Sequence, residues 1–118
     1  ACVTNKAEQF TLPLLKALEI HHYFRLIISG DTCQKKKPDP LPLLHAADFF
    51  QVNPHNALML GDSIHDVTAA RAAGFQIISV SYGYNHGIDI SEAAPDAVID
   101  SFVQLPNLIG KRDSNQSA

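Results

Sequence analysis

The stretch Ala57-Leu58-Met59-Leu60-Gly61-Asp62-Ser63-Ile64-His65-Asp66 decides how this chain folds. A short, continuous apolar run stops at a glycine, and two carboxylates four positions apart follow it. Such a run, flanked by turn residues, reads as a strand buried on both faces of a parallel sheet. Gly61 is expected to let the backbone turn tightly. Val67 to Ala73 is a good helix former, and Gly74 stops it. Open α/β sheets bind ligands at the carboxyl ends of their strands, so Asp62 is placed where chemistry is usually done. Carboxylates are hard oxygen ligands suited to Mg²⁺.

The same alternation extends in both directions. Ala1 to Thr4 reads as the end of a strand. A helix is expected over Ala7 to Ile20, with Phe10, Leu14, Leu15 and Leu18 on one face and Pro13 in its first turns or at a kink. Arg25 to Ser29 is a second strand and Gly30 to Lys37 a polar loop. Pro40 to Phe50 is a helix with Leu41, Leu44, Ala47 and Phe50 near a common face. Ala57 to Leu60 is the third strand, Asp66 to Ala73 a helix and Phe75 to Val80 the fourth strand. Ser81 to Ala94 is a long loop. Ala97 to Ile99 is a fifth strand and Phe102 to Leu108 a weak last helix. Strands and helices in alternation with short links give a parallel sheet covered on both faces, joined by right-handed crossovers. The expected fold is therefore a Rossmann-like, three-layer α/β domain over residues 1–110, followed by a polar tail at 111–118.

Composition narrows the function. The chain has 118 residues, 46% of them hydrophobic, which is room for one small domain with a core. A net charge of −3 gives no support to a general nucleic-acid binder. No apolar stretch approaches the roughly 20 residues of a membrane-spanning helix. Cys2 and Cys33 form neither a C-x-x-C pair nor a disulfide framework, which favours a reducing, cytoplasmic setting. The only methionine is Met59, and the opening Ala-Cys-Val-Thr-Asn-Lys reads as the end of a strand. The expectation is a C-terminal piece of a longer chain, with a processed mature protein as the alternative.

Three strand ends carry polar groups. At Val3-Thr4-Asn5-Lys6, a hydroxyl and the N–H groups after it could hold a phosphate oxygen, although most Thr-Asn pairs are caps or turns. At Lys35-Lys36-Lys37-Pro38-Asp39-Pro40, three lysines read first as a solvated loop. Pro38, however, restricts Lys37 to an extended conformation, which aims its ammonium, and Pro40 can start a helix. At Gly61-Asp62-Ser63 with Asp66, a cap and a dipole-complementing carboxylate compete evenly with a functional role.

Taken in order, Thr4, Lys37-Pro38 and Gly61-Asp62-Ser63-x-x-Asp66 resemble the haloacid dehalogenase-like superfamily of phosphohydrolases, from Ala1 to about Leu108. Thr4 matches its second motif, Lys37 its third, and Asp62 and Asp66 its fourth. The Tyr82-Gly83-Tyr84-Asn85 run is most similar to bacterial members that hydrolyse 2-phosphoglycolate. The resemblance implies Mg²⁺, an aspartate nucleophile and an aspartyl-phosphate hydrolysed by water. By the match, Thr4 and the N–H of Asn5 hold phosphate oxygens and Lys37 neutralises the phosphoryl group. Asp62 ligates the metal, and Asp66 supports the metal site directly, through water or through Lys37. The implied substrate is a small phosphorylated carboxylate or another small phosphate ester.

The family's first motif, Asp-x-Asp-x-Thr or Asp-x-Asp-x-Val, does not occur in these residues; Asp39 and Asp89 lie in the wrong places. The nucleophile, the acid/base, two of the usual metal ligands, the central first strand that carries them and the helical cap domain are therefore expected to be missing from this chain. That leaves an apolar sheet edge uncovered, and the chain alone is not expected to turn over a phosphate ester. A non-catalytic phosphate-binding or interaction module is the rival class, and a receiver-type signalling domain a weaker third. Among the six histidines, His65 alone lies near the acidic cluster. His21, His22, His45, His55 and His86 are scattered, and Cys33 reads as a plain small residue. Tyr82 and Tyr84 read as rim or packing residues and Arg71 as solvent-facing.

Overall fold

The computed structural model describes residues 1–82, 89–106 and 108. Tyr84, Asn85, His86 and the polar tail, all named above, lie outside the described residues. The elements are β1 (Cys2–Val3), α1 (Glu8–Ala17), β2 (Ile27–Ile28), α2 (Leu41–Phe50), β3 (Leu58–Gly61), α3 (Ile64–Ala73), β4 (Gln76–Val80) and β5 (Ala97–Ile99), with short 3₁₀ turns between several of them. All strand pairings are parallel, as the alternation of strand and helix required.

The strands do not form one sheet. β1 pairs with β2, and β3, β4 and β5 form a separate sheet in that order. β1 and β3 each have a single strand neighbour, and a hollow lined by Val3, Thr4, Met59, Leu60 and Gly61 lies between them. The molecule is an α/β fold whose parallel strands are divided between two sheets along a seam.

The main core lies on one face of β4. Ile77 is fully buried there with Val67, Ala69, Ala70 and Ala73 of α3 and Leu43 and Ala47 of α2. The other face gathers Ile78, Val80 and Ile99 with Leu60, Ala97 and Leu105. Neighbouring β4 residues thus bury on opposite faces, as an all-apolar strand demands. Asp96 ties β5 to β4. Its carboxylate accepts from the Ile77 amide at 2.8 Å, and its own N–H donates to the Ile77 carbonyl at 2.8 Å. The Ile77 amide, with Arg71 at 3.1 Å assisting, holds the Asp96 carboxyl below its ordinary range. Arg71 is thus engaged with Asp96 and the Ala94 carbonyl rather than simply facing solvent.

Two helix faces differ from expectation. In α2, the buried residues are Pro42, Leu43, Ala46 and Ala47, while Leu41 and Leu44 are exposed. The helix is apolar nearly all round, so its periodicity does not select a face. The small side chains Ala46 and Ala47 select it, because they let α2 approach the alanine-rich side of α3. In α1, only Thr11 and Leu15 are buried, and Phe10, Leu14 and Leu18 form an exposed stripe. Pro13 sits inside α1, in its second turn, within the range expected for it. The weak last helix is a 3₁₀ turn at Phe102–Gln104 with helical residues at Leu105, Pro106 and Leu108.

Unpaired strand edges along the seam and an uncovered apolar helix stripe are both aggregation hazards. The 118-residue polypeptide on its own is expected to be marginally stable or to aggregate. Thermal and denaturant melts with light scattering check this; a cooperative melt of a soluble monomer would refute it.

Candidate active site

The three polar strand ends meet at the seam. Thr4, Lys37, Asp62 and Asp66 all line the hollow of about 370 Å³ between β1 and β3, together with Val80, Tyr82 and Phe102. Its floor is apolar strand, and its polar groups come from the carboxyl tips of β1 and β3 and from the loop before α2.

Lys37 is the centre of the arrangement. Of the three consecutive lysines, Lys35 and Lys36 are exposed and only Lys37 is buried. Its ammonium donates to Asp66 Oδ1 at 2.5 Å and to the Val3 carbonyl at 3.0 Å. Burial of an unpaired ammonium would cost several kcal/mol, on the order of the penalty for any buried ion, so this pairing is what makes the buried position tenable. The Lys37–Pro38 peptide bond is cis. Asp39 accepts from the Leu41 amide at 2.9 Å, so Asp39 and Pro40 lie just ahead of α2 and the helix proper starts one residue later than expected.

Asp66 serves two partners at once. While Oδ1 meets Lys37, Oδ2 accepts from the amides of Asp62 at 2.9 Å and Ser63 at 3.1 Å. Ser63 is the N-cap of α3 and forms a reciprocal capping box with Asp66, its side chain accepting from the His65 amide at 3.1 Å. The capping role and the site role of this cluster, which compete in the sequence, coexist in the structure. Both oxygens of Asp66 are thus engaged, and Asp66 itself lines the hollow beside Lys37. Asp62 is exposed at the tip of β3, at the mouth of the hollow.

Gly61 is needed for a different reason from the one expected. It lies within β3, and a Cβ there would fall 2.4 Å from Asp66 Cβ and 2.5 Å from Asp66 Oδ2. The absence of a side chain, not a special turn, lets Asp66 fold back over the strand tip. Thr4 is in a turn, with its hydroxyl accepting from the Lys6 amide at 3.1 Å, and α1 begins only at Glu8. The turn role and a place on the hollow are again compatible, since the hydroxyl keeps its own proton to donate.

Several residues play parts that sequence did not reveal. The Val3 carbonyl is a backbone ligand for Lys37 and carries no side-chain signal. Asn5 uses its side-chain Nδ2 to donate to the Lys37 carbonyl at 2.9 Å. Phe102 meets Tyr82 edge-on at the rim, with ring centroids 6.3 Å apart. His65 is exposed and does not line the hollow. Cys2, in β1, has its thiol pushed up by burial, with Lys37 partly opposing the shift.

Gly61→Ala is expected to force Asp66 away from Lys37 and to lower stability by about 1–3 kcal/mol, the usual cost of overfilling a packed site. Denaturant unfolding checks the loss. A variant as stable as the parent would show that Asp66 does not depend on the bare backbone at Gly61.

Residues 1–80 match the haloacid dehalogenase-like hydrolase family. A phosphoglycolate phosphatase of Nitrosococcus oceani is 61% identical over 110 residues, which cover 93% of this chain and 49% of that enzyme. The crystal structure of a predicted phosphoglycolate phosphatase from Haemophilus somnus superposes with a TM-score of 0.87 at 34% identity, over 90% of this chain and 47% of that one. The structure of CbbY from Rhodobacter sphaeroides in complex with phosphate superposes with a TM-score of 0.64 at 31% identity, over 73% of this chain and 37% of that one. The chain spans about half the length of the curated relatives it matches. Buried Lys37 paired to the aspartate of a Gly-Asp-Ser-x-x-Asp tip, beside a strand-end threonine, is thus accompanied by a match over most of the sequence, and the chain belongs to the haloacid dehalogenase-like hydrolase family.

Proposed function

We propose that this chain forms part of a Mg²⁺-dependent phosphatase acting on a small phosphate ester, with 2-phosphoglycolate as the favoured substrate. The observation that carries the proposal is the Lys37 ammonium, fixed beside a hollow that Thr4 and Asp62 also line. A positive charge, a hydroxyl and a carboxylate around one cavity suit a phosphoryl group and the cation that accompanies it. The relatives' names add the substrate class, and the phosphate held by CbbY is consistent with it.

The residues divide the work. Thr4 donates its hydroxyl, and Asn5 its backbone N–H, to phosphate oxygens. Lys37 offsets the charge of the phosphoryl group and, by its fixed place, orients it for attack. Asp66 holds Lys37 and the Asp62 backbone, and so supports the metal position indirectly. The nucleophilic aspartate comes from a segment outside these residues, since no Asp-x-Asp motif occurs among them.

The donor set fits Mg²⁺ as a partial site. This ion is usually bound by one or two carboxylates plus phosphate oxygens and water, not by a full protein cage. Among the described residues no group of three or more His, Cys, Asp or Glu side chains gathers to hold a metal, and Asp62 and Asp66 are the two carboxylates that line the hollow. When bound there, the ion would neutralise charge that builds on the transferring phosphoryl group. No helix among the described residues is long and apolar enough to cross a membrane. A cytoplasmic small-molecule hydrolase is the reading that composition and site chemistry favour.

In the full-length protein that carries this chain, Asp62→Asn is expected to lower 2-phosphoglycolate hydrolysis by at least roughly a hundredfold and to weaken its response to Mg²⁺. Steady-state rates across a Mg²⁺ series check this. Unchanged Mg²⁺-dependent turnover would contradict the metal assignment. A full-length protein with no phosphatase activity at all, yet binding phosphate, would favour the non-catalytic module instead.

A further inference from the structure

Lys37 is gripped at both of its ends, by β1 and by the turn that follows that strand. Its ammonium donates to the Val3 carbonyl at 3.0 Å, and its own backbone carbonyl accepts from Asn5 Nδ2 at 2.9 Å. The partner of the Asn5 side chain is a carbonyl oxygen, so only the amide N–H₂ end can satisfy it. An aspartate of the same shape would place one acceptor against another.

The Asn5 backbone is itself held in place. Thr4 N donates to the Ile28 carbonyl at 2.9 Å, and Gly30 N donates to the Lys6 carbonyl at 2.8 Å. A Cβ at residue 30 would lie 2.0 Å from Asn5 O, so the bare backbone of Gly30 lets the Asn5 main chain sit against it. The Asn5 carboxamide is therefore presented from a fixed point. The segment it holds has local contacts of its own, with Asp39 N donating to the Lys36 carbonyl at 3.0 Å, but none of these reaches the Lys37 carbonyl. Lys35 and Lys36 are exposed, and a lysine stem is flexible and strongly hydrated at its tip.

We infer that Asn5 is a positioning residue for Lys37: its side-chain amide fixes the Lys37 backbone so that the ammonium stays between Val3 and Asp66. This inference rests on the proposed role of Lys37 in phosphoryl transfer, and it is separate from the backbone N–H contact assigned to Asn5. It makes the strand-end Thr-Asn pair a two-part device, with the threonine facing the hollow and the asparagine ordering the charge beside it.

The test uses the full-length protein labelled at lysine with ¹⁵N and ¹³C, with Lys37→Arg assigning the Lys37 signal. The wild-type Lys37 ammonium is expected to exchange slowly with water, because it is buried on two acceptors. Asn5→Asp and Asn5→Ala are expected to speed that exchange by at least roughly tenfold and to lower kcat by roughly tenfold to a hundredfold, with a smaller change in KM. Lys36→Ala should change neither. If Asn5→Ala does not fold, the isosteric Asn5→Asp decides. A folded Asn5 variant that keeps the slow Lys37 signal, or a wild-type protein without one, would overturn the inference. Lys37→Ala separates the two claims: full activity in that variant would defeat the phosphatase role of Lys37, while the ammonium signal still judges the Asn5 hold.

Discussion

An ammonium group at a seam is the constraint on which the rest of this structure depends. Among the described residues, β1 with β2, and β3 with β4 and β5, are separate parallel sheets with no backbone pairing between them. Lys37 joins them at the carboxyl end, touching β1 through the Val3 carbonyl and the α3 side through Asp66. The link is polar and buried, so it tolerates little imprecision: removing either partner would leave the other charge or a carbonyl without its hydrogen bond in a dry place. The surrounding chain makes room for it by omitting side chains. Gly61 clears the space that Asp66 occupies, and Gly30 clears the space for the Asn5 main chain.

Asp66 shows how one carboxylate can unite folding and chemistry. One oxygen completes the capping of α3 and holds the Asp62 and Ser63 amides, and the other holds Lys37. The helix start, the strand tip and the charged loop are thereby locked to a common geometry. A cavity lined by Thr4, Lys37 and Asp62 follows from that lock, not from any one motif. Strain on any member is transmitted to the others because the groups share hydrogen bonds.

Much of this was legible in the residues. The strand at Leu58–Gly61, the order of strands and helices, and the convergence of Thr4, Lys37, Asp62 and Asp66 follow from strand-end logic, since parallel strands bring their carboxyl tips to one side. That strand is not buried on both faces as expected, however: Leu58 is exposed and Met59, Leu60 and Gly61 are half-buried, because the strand borders the seam. β5 at Ala97–Ile99 matches its expected bounds. Other features were hidden for identifiable reasons. The buried faces of α1 and α2 could not be read because apolar residues surround those helices, and contact with other elements decides which side is covered. The need for Gly61 is a clash with a residue five positions later, and that for Gly30 a clash with a residue 25 positions earlier. Val3 acts through its backbone, which leaves no mark on side-chain pattern. The split of the strands into two sheets was invisible to periodicity, which reports elements and not their pairing, although the expected lack of a central first strand already implied an uncovered sheet edge.

A double-mutant cycle between Lys37 and Asp66 tests the central claim most directly. Lys37→Met, Asp66→Asn and the double variant would be unfolded by denaturant in the full-length protein, at neutral pH and at raised salt. A seam held by this buried pair predicts a coupling energy above about 1.5 kcal/mol that persists in salt. A coupling within about 0.3 kcal/mol of zero would mean that the two sheets are held by something else, and the account of the site would fall with it.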